Sequence, residues 1–378
     1  MIIPNEELID ILQLLCTDGI GPVTFYNYIR KAGNVKNALA LAAQKRSLCP
    51  RKTAEAEIDK AKKYGAEIIA YTDSRYPQNL LELNDAPPIL YVIGRTDLLN
   101  YPVSVAIVGA RNASIGGRKI ASRIAYNLTE NDVLVVSGMA RGIDGAAHKG
   151  SLYAKNQTGA TVAVMGTGVD VPYPAENTEL YFNIRDNGLL ISELPLGTQA
   201  QISNFPRRNR LIAGLTESTL VVEASVHSGS LITAKLALEQ GKEIFAVPGS
   251  PLESRSAGPN QLIKEGALLT ESADDILNTL SMRYNKTIKE QKTLALPLDK
   301  PKNQVNISAH EKISVPLENK KTENIDLLDL ISYDGVDIDD LLRNCGLSQS
   351  DFFTQILDLE FAGKIERHSG NKVAKIRG

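Results

Sequence analysis

Residues 105–117, VAIVGARNASIGG, decide the fold. Val105 to Val108 are small or β-branched with no polar alternation, which marks a strand buried on both faces. Gly109 ends that run, and Gly116 and Gly117 open a helix after a short turn. Strand, glycine-bearing turn and helix, in that order, form the phosphate-facing corner of a doubly wound sheet. The dinucleotide pattern G-x-G-x-x-G is absent, because Arg111 stands where the second glycine would let a pyrophosphate touch the backbone. A cation in that place suits a phosphodiester.

Similar runs recur on both sides, at 68–71, 89–93, 133–136, 161–165, 189–192, 219–222 and 243–247, with the run around Val105 extending over 103–108. Helical stretches separate most of them, so the spacing predicts a mainly parallel, Rossmann-like α/β sheet over 68–283, with ligands at the carboxyl ends of its strands. Before it, 1–67 reads as a small helical domain: Leu8, Ile11, Leu12, Leu15, Phe25, Tyr28 and Ile29 keep helical spacing. Asp18 to Pro22 interrupt them as a helix-hairpin-helix-like turn. Such a turn either offers backbone N–H groups to phosphate or simply packs two helices. Residues 284–324, rich in Lys, Asn, Gln and Pro, read as a disordered linker. The remainder, 325–378, fits three short helices and a β-wing, a winged helix.

The chain has 378 residues and a formal net charge of -2, which argues against histone-like coating of nucleic acid and requires any DNA site to be local. Cys16, Cys49 and Cys345 have no metal-ligand spacing, so neither a structural metal nor a cofactor is expected. The N-terminus lacks a signal-peptide pattern and no apolar run is long enough to span a membrane, which predicts a soluble cytoplasmic protein.

Four strand ends carry the chemistry. The first holds Gly109, Arg111 and Ser114. At the second, Ser137, Gly138 and Arg141 lead into a helix, where amides, a hydroxyl and a guanidinium make an anion site. Asp144 and His148 follow one helical turn apart; a catalytic dyad is conceivable, but a first-turn acid beside a packed histidine is the favoured reading. The third is Phe205-Pro206-Arg207-Arg208-Asn209-Arg210, three arginines in four residues read as lying just before an apolar helix. Charge runs are usually solvated faces, yet the self-repulsion of this one at a ligand edge points to an anionic partner. At the fourth, Ser228 and Ser230 either cap a helix or cradle a phosphate. From Thr72 to Arg283 there are 18 Lys and Arg against 21 Asp and Glu, so placement of the arginines carries the argument rather than bulk charge. No nucleophile elbow, Walker loop or zinc-protease motif occurs, and the expectation is a binder rather than an enzyme.

The order and spacing of VAIVGARNAS, SGMARGIDGAAH, VMGTGVDVPYPAEN, FPRRNRLIAGL, VVEASVHSGSLITAKLALEQGKEIFAVPGSP and GPNQLIKEGA closely resemble the DprA (Smf) family of DNA-processing proteins. That resemblance implies an extended Rossmann-like fold that binds single-stranded DNA, homodimerises, protects incoming DNA and loads RecA onto it in natural transformation. It assigns DNA contacts to Gly109, Arg111, Ser137, Gly138, Arg141, Arg207, Arg208, Asn209 and Arg210, and places a dimer edge near Leu262 and Ile263. The helical N-terminus looks like the family's sterile-alpha-motif-like module.

Two departures stand out. Ala175 and Glu176 follow Tyr173-Pro174 where some members carry a basic residue. The winged helix is acidic, with two basic against ten acidic residues from Lys321 to Glu360, and its recognition helix at 348–362 has no Lys or Arg. A major-groove reader needs the opposite balance. That module reads as a protein-interaction element. The competing enzyme class is a nucleotide phosphoribohydrolase on a related fold, for which Glu223 would be the catalytic carboxylate; the doublet of glycine motifs that accompanies it is missing.

Overall fold

A computed structural model of the chain describes residues 5–156 and 160–284, and beyond them residues 331, 336–338, 341–342, 352, 355–356, 359, 364–368 and 372–375. Four helices come first: α1 (Asn5–Leu15), α2 (Pro22–Ala32), α3 (Val35–Ala43) and α4 (Arg51–Tyr64). Pro22 starts α2, where a missing N–H costs nothing. The Asn34 side chain accepts from the Asn37 amide at 2.9 Å to cap α3.

Nine strands then form one sheet: β1 (Glu67–Ala70), β2 (Ile89–Gly94), β3 (Ser104–Val108), β4 (Leu134–Ser137), β5 (Thr161–Val164), β6 (Leu189–Ser192), β7 (Ser218–Val221), β8 (Glu243–Ala246) and β9 (Leu268–Leu269). The helices between them are α5 (Gln78–Leu81), α6 (Ile115–Glu130), α7 (Ile143–Leu152), α8 (Thr178–Asn187), α9 (Asn204–Leu215), α10 (Gly229–Glu239), α11 (Ala257–Lys264) and α12 (Ala273–Tyr284). The sheet order is β1-β2-β6-β5-β4-β3-β7-β8-β9. All pairs from β6 to β9 are parallel, while β1 with β2 and β2 with β6 are antiparallel. The chain builds outward from β3 through β4 and β5 to β6, then returns to the other side of β3 with β7. That reversal between β3 and β7 is a topological switch point, where two neighbouring strand ends splay apart and leave a crevice. All eight expected strands form, with ends shifted by a residue or two at most. The ninth, β9, has two residues, too few to give a periodicity.

Both faces of the sheet are covered. One core cluster joins the N-terminal helices to the sheet, running from Ile11, Phe25 and Ile58 to Tyr91, Ala163 and Leu190. Phe25 meets Tyr71 edge to face with centroids 5.6 Å apart. The helical region thus packs directly on the sheet, and the chain divides into two compact units, Met1–Leu294 and Ala295–Gly378. Within the second unit, β10 (Val336–Asp337), β11 (Ile365–His368) and β12 (Lys372–Lys375) form an antiparallel sheet in the order β10-β12-β11. Ile338, Phe352, Ile356, Ile365 and Val373 pack as its core. The linker expected over 284–324, beyond Tyr284, and most of the acidic recognition helix lie outside the described residues. Among the described residues no helix is long and apolar enough to cross a membrane.

Candidate nucleic-acid interface

A cleft of about 610 Å³ opens at the switch point. The loop after β3 contributes Gly109, Arg111 and Asn112; α9 contributes Phe205, Arg208 and Asn209; the start of α10 contributes Ser228 and Ser230. A second chamber of about 250 Å³ shares Arg111, Ala140, Tyr173, Phe205 and Arg208 with it and adds Gly138 and Arg141. The larger chamber is lined by Arg111, Arg208 and Arg255 against one carboxylate, Asp144. Its local charge is therefore positive although the chain's is not.

Arg111 is exposed, and its guanidinium carbon stands 5.2 Å from the centroid of the Phe205 ring. That cation–π contact orients the side chain without neutralising it. Tyr173 lies beside Phe205, with centroids 5.5 Å apart and planes tilted by 33°. The two rings and the guanidinium make a platform that suits an unpaired base next to a phosphate. Sequence reasoning passed over Phe205 and Tyr173, since an aromatic beside a charge run gives no signal until the loops are brought together.

Arg208 is a different kind of residue. Only 5% exposed, it donates from Nη1 to the carbonyls of Gly138 and Val164. Desolvation lowers its pKa to about 10, with Asp144 opposing and Arg111 adding to the shift, so it stays charged at neutral pH. The turn after β4 is shaped around it. A Cβ at Gly138 would lie 2.5 Å from the Arg208 guanidinium, and one at Gly142 (φ 77°) would lie 2.2 Å from the Ala110 carbonyl oxygen. Only glycine lets these two loops meet over the arginine.

The arginine run is not a preface to a helix. It lies inside α9, whose first residue is Asn204, because Pro206 is tolerated in a first turn and the residues after it are good helix formers. Successive residues on a helix diverge by roughly 100°, so three arginines in four positions cannot share one face. Arg207 points to solvent, Arg208 forms the cleft floor, and Arg210 is buried away from the cleft, paired with Glu193 and, at 3.2 Å, with Asp85. Arg210 is a structural cation, contrary to its expected role.

Other expected contacts are also engaged within the protein. Ser137 is buried, and its hydroxyl donates to the Ile107 carbonyl at 2.6 Å. The Ser114 hydroxyl accepts from the Gly117 amide at 2.8 Å and donates to Glu223, so it caps α6 rather than facing the cleft. Arg141 is exposed but ion-paired with Glu176 at 3.1 Å, in the turn where Ala175 replaces a basic residue. Ser228 caps α10 and shares a 2.7 Å hydroxyl contact with Ser230, while both still line the cleft. Asn209 lines it too and donates to the Gly229 carbonyl at 3.2 Å.

Neither enzymatic reading gains a working group. The Asp144 carboxylate accepts from the Ala140 amide at 3.4 Å, and His148 contacts Thr161 Oγ1 through Nδ1 at 2.8 Å; the described residues show no hydrogen bond between the pair. Desolvation raises Asp144 despite Arg208, and desolvation together with Arg208 lowers His148 to about 3, which makes it a neutral packed ring at physiological pH. Glu223 accepts both the amide and the hydroxyl of Ser114, holding the loop after β3 in place.

A parallel sheet with a cationic, aromatic-lined crevice at its switch point defines a Rossmann-like binder of phosphate-bearing ligands. Residues 67–281 match the model of the DNA recombination-mediator protein A family, to which this chain belongs. Residues 5–60 match its DprA-like N-terminal HHH domain and residues 314–371 the DprA winged helix domain. DNA processing protein DprA of Streptococcus pneumoniae is 45% identical over 54% of this chain and 71% of that protein. Protein Smf of Escherichia coli is 34% identical over 86% and 81%. The crystal structure of the S. pneumoniae protein aligns with a TM-score of 0.58 at 36% identity, covering 73% of this chain and 93% of that one. A structure of DNA processing protein A from Helicobacter pylori, described for its single-stranded DNA binding mode, aligns with a TM-score of 0.52 at 30% identity, over 58% and 97%.

Proposed function

We propose that this protein is a non-enzymatic mediator that binds single-stranded DNA in the switch-point cleft and loads RecA onto it. The observation that carries this reading is Arg111: an exposed guanidinium with no ion pair among the described residues, seated on Phe205 at the mouth of a positive crevice. Phosphate contacts there position a strand without reading bases, and the Phe205–Tyr173 platform accepts any base that is unpaired. A duplex keeps its bases stacked inside and cannot use that platform. The purified protein should therefore bind single-stranded DNA more tightly than a duplex of equal length, with little sequence preference. Equal affinities in a titration would reject the reading, and release of free base from nucleoside monophosphates would instead favour the phosphoribohydrolase. With DNA and a recombinase as partners, the place of action is the cytoplasm.

The protein also acts as a homodimer in this reading, through the outer edge of the sheet. Leu268 and Leu269 are 39% and 50% exposed on β9, which pairs only with β8 among the described strands. An open edge carrying apolar side chains is an invitation to pair. Leu262 on α11 is half buried against the sheet core, so a charge there tests folding as much as association. Ile263 is half exposed beside it. Leu269→Lys is the cleaner variant: light scattering should report monomers with an unchanged melting temperature, and an intact dimer would move the interface elsewhere.

A further inference from the structure

Helices α6 and α7 lie side by side, and between them runs a groove of about 630 Å³, separate from the cleft. The helices approach closely because Gly150 has no side chain; a Cβ there would sit 2.1 Å from the Ser122 carbonyl oxygen. Arg118, Lys119 and Arg123 of α6 and Lys149 of α7 line the groove, and no carboxylate does. All four are exposed and none makes an ion pair among the described residues. By contrast Arg51, Arg75, Arg95, Arg141 and Arg185 each sit on a carboxylate. Four like charges left uncompensated on a chain of net charge -2 are held against their mutual repulsion, which an anionic ligand would relieve. Tyr126 and the exposed Tyr153 add ring faces to the same lining.

The groove begins where the cleft ends. Gly142 lines it and lies so close behind the Arg111 loop that a Cβ would be 2.6 Å from the Arg111 carbonyl oxygen. Asn177, at the same end, donates to the carbonyls of Met139 and Ala140 at 2.9 and 3.1 Å, and Ala140 lines both chambers of the cleft. We propose that the α6–α7 groove is a second binding segment for single-stranded nucleic acid, holding the phosphates of a strand that leaves the cleft past Arg111. Cations interleaved with tyrosines are the pairing that tracks an unpaired strand. Continuity with the cleft and those rings favour a strand over an acidic protein segment.

The inference rests on the cleft reading, and the test separates the two. The full chain and the triple variant Arg118→Ala/Arg123→Ala/Lys149→Ala are titrated with oligonucleotides of about 5 and about 20 nucleotides, bracketing the ~4–16 nucleotide span of comparable single-strand sites. The substituted side chains are exposed, so the fold persists and the melting temperature stays put. Affinity for the longer strand should fall about tenfold or more, and the plot of log affinity against log salt should flatten by up to about 2, at ~0.7 for each phosphate no longer neutralised. The short strand should bind as before. Equal weakening at both lengths, or undiminished binding of the longer strand, overturns the proposal. Unchanged binding at both lengths with weakened recombinase recruitment overturns it as well and gives the groove to a protein. If the unsubstituted chain binds neither oligonucleotide, the cleft reading itself is what fails.

Discussion

Arg208→Ala is expected to lose roughly 3–5 kcal/mol of folding stability, as buried ion pairs do when one partner is removed. The side chain is almost fully enclosed and donates to the Gly138 and Val164 carbonyls, at the ends of the turn after β4 and of β5. Without it both carbonyls lose a charge-assisted donor, Asp144 loses its main compensating charge, and the turn loses the group it is folded around. For a unit of this size the melting temperature should drop by roughly 10 °C. Arg208→Lys keeps the charge but has no planar fork to serve two carbonyls, so it should recover part of the loss at most. Adding Asp144→Asn to Arg208→Ala should cost less than the sum of the two, because the second change removes the carboxylate that the first leaves stranded. A melting temperature unchanged within a degree, with only DNA affinity reduced, would show that the guanidinium serves ligand and not fold.

Arg111→Ala should behave in the opposite way. The residue is exposed, has no carboxylate partner among the described residues and touches Phe205, so its removal should alter stability by no more than about 0.5 kcal/mol. Its removal as a phosphate ligand should cost about 1.5–3 kcal/mol of binding, a tenfold or greater drop in single-strand affinity. The salt dependence should flatten by about 0.7, the single-strand value for one neutralised phosphate. Arg111→Lys should restore the salt slope more fully than the affinity, since an ammonium keeps the charge and loses the bidentate fork. Melting curves and salt titrations on the same preparations decide the matter. A full-strength salt slope in Arg111→Ala would remove the cleft from the DNA path.

The contrast between these two arginines marks the limit of reading the site from the chain alone. Both sit in strand-to-helix segments with glycine nearby, and both belong to motifs that resemble the family's. What separates them is orientation. Arg111 lies in a loop at a splayed strand end, where nothing covers it. Arg208 lies on the inward face of α9, and two residues further the helical turn carries Arg210 to Glu193 and Asp85 on another side. Ser114 and Ser137 follow the same rule, because short hydroxyl side chains satisfy the nearest backbone group or carboxylate before they reach a ligand.

The sequence by itself determined the parallel sheet, since runs such as Val105 to Val108 have no polar face and can lie only between two layers of helix. It also determined the helical N-terminal region, the strand-end location of the cationic loops and the family, because periodicity and ordered motifs are local along the chain. Only the tertiary structure decided which cations remain free. It put Phe205 and Tyr173 together under Arg111, set Glu223 to hold the loop after β3, left Leu268 and Leu269 on an open edge, and aligned Arg118, Arg123 and Lys149 along one groove. Each of these depends on partners distant in sequence. The electrostatic and packing energy of a side chain is fixed by what surrounds it in space, and spacing along the chain does not encode that.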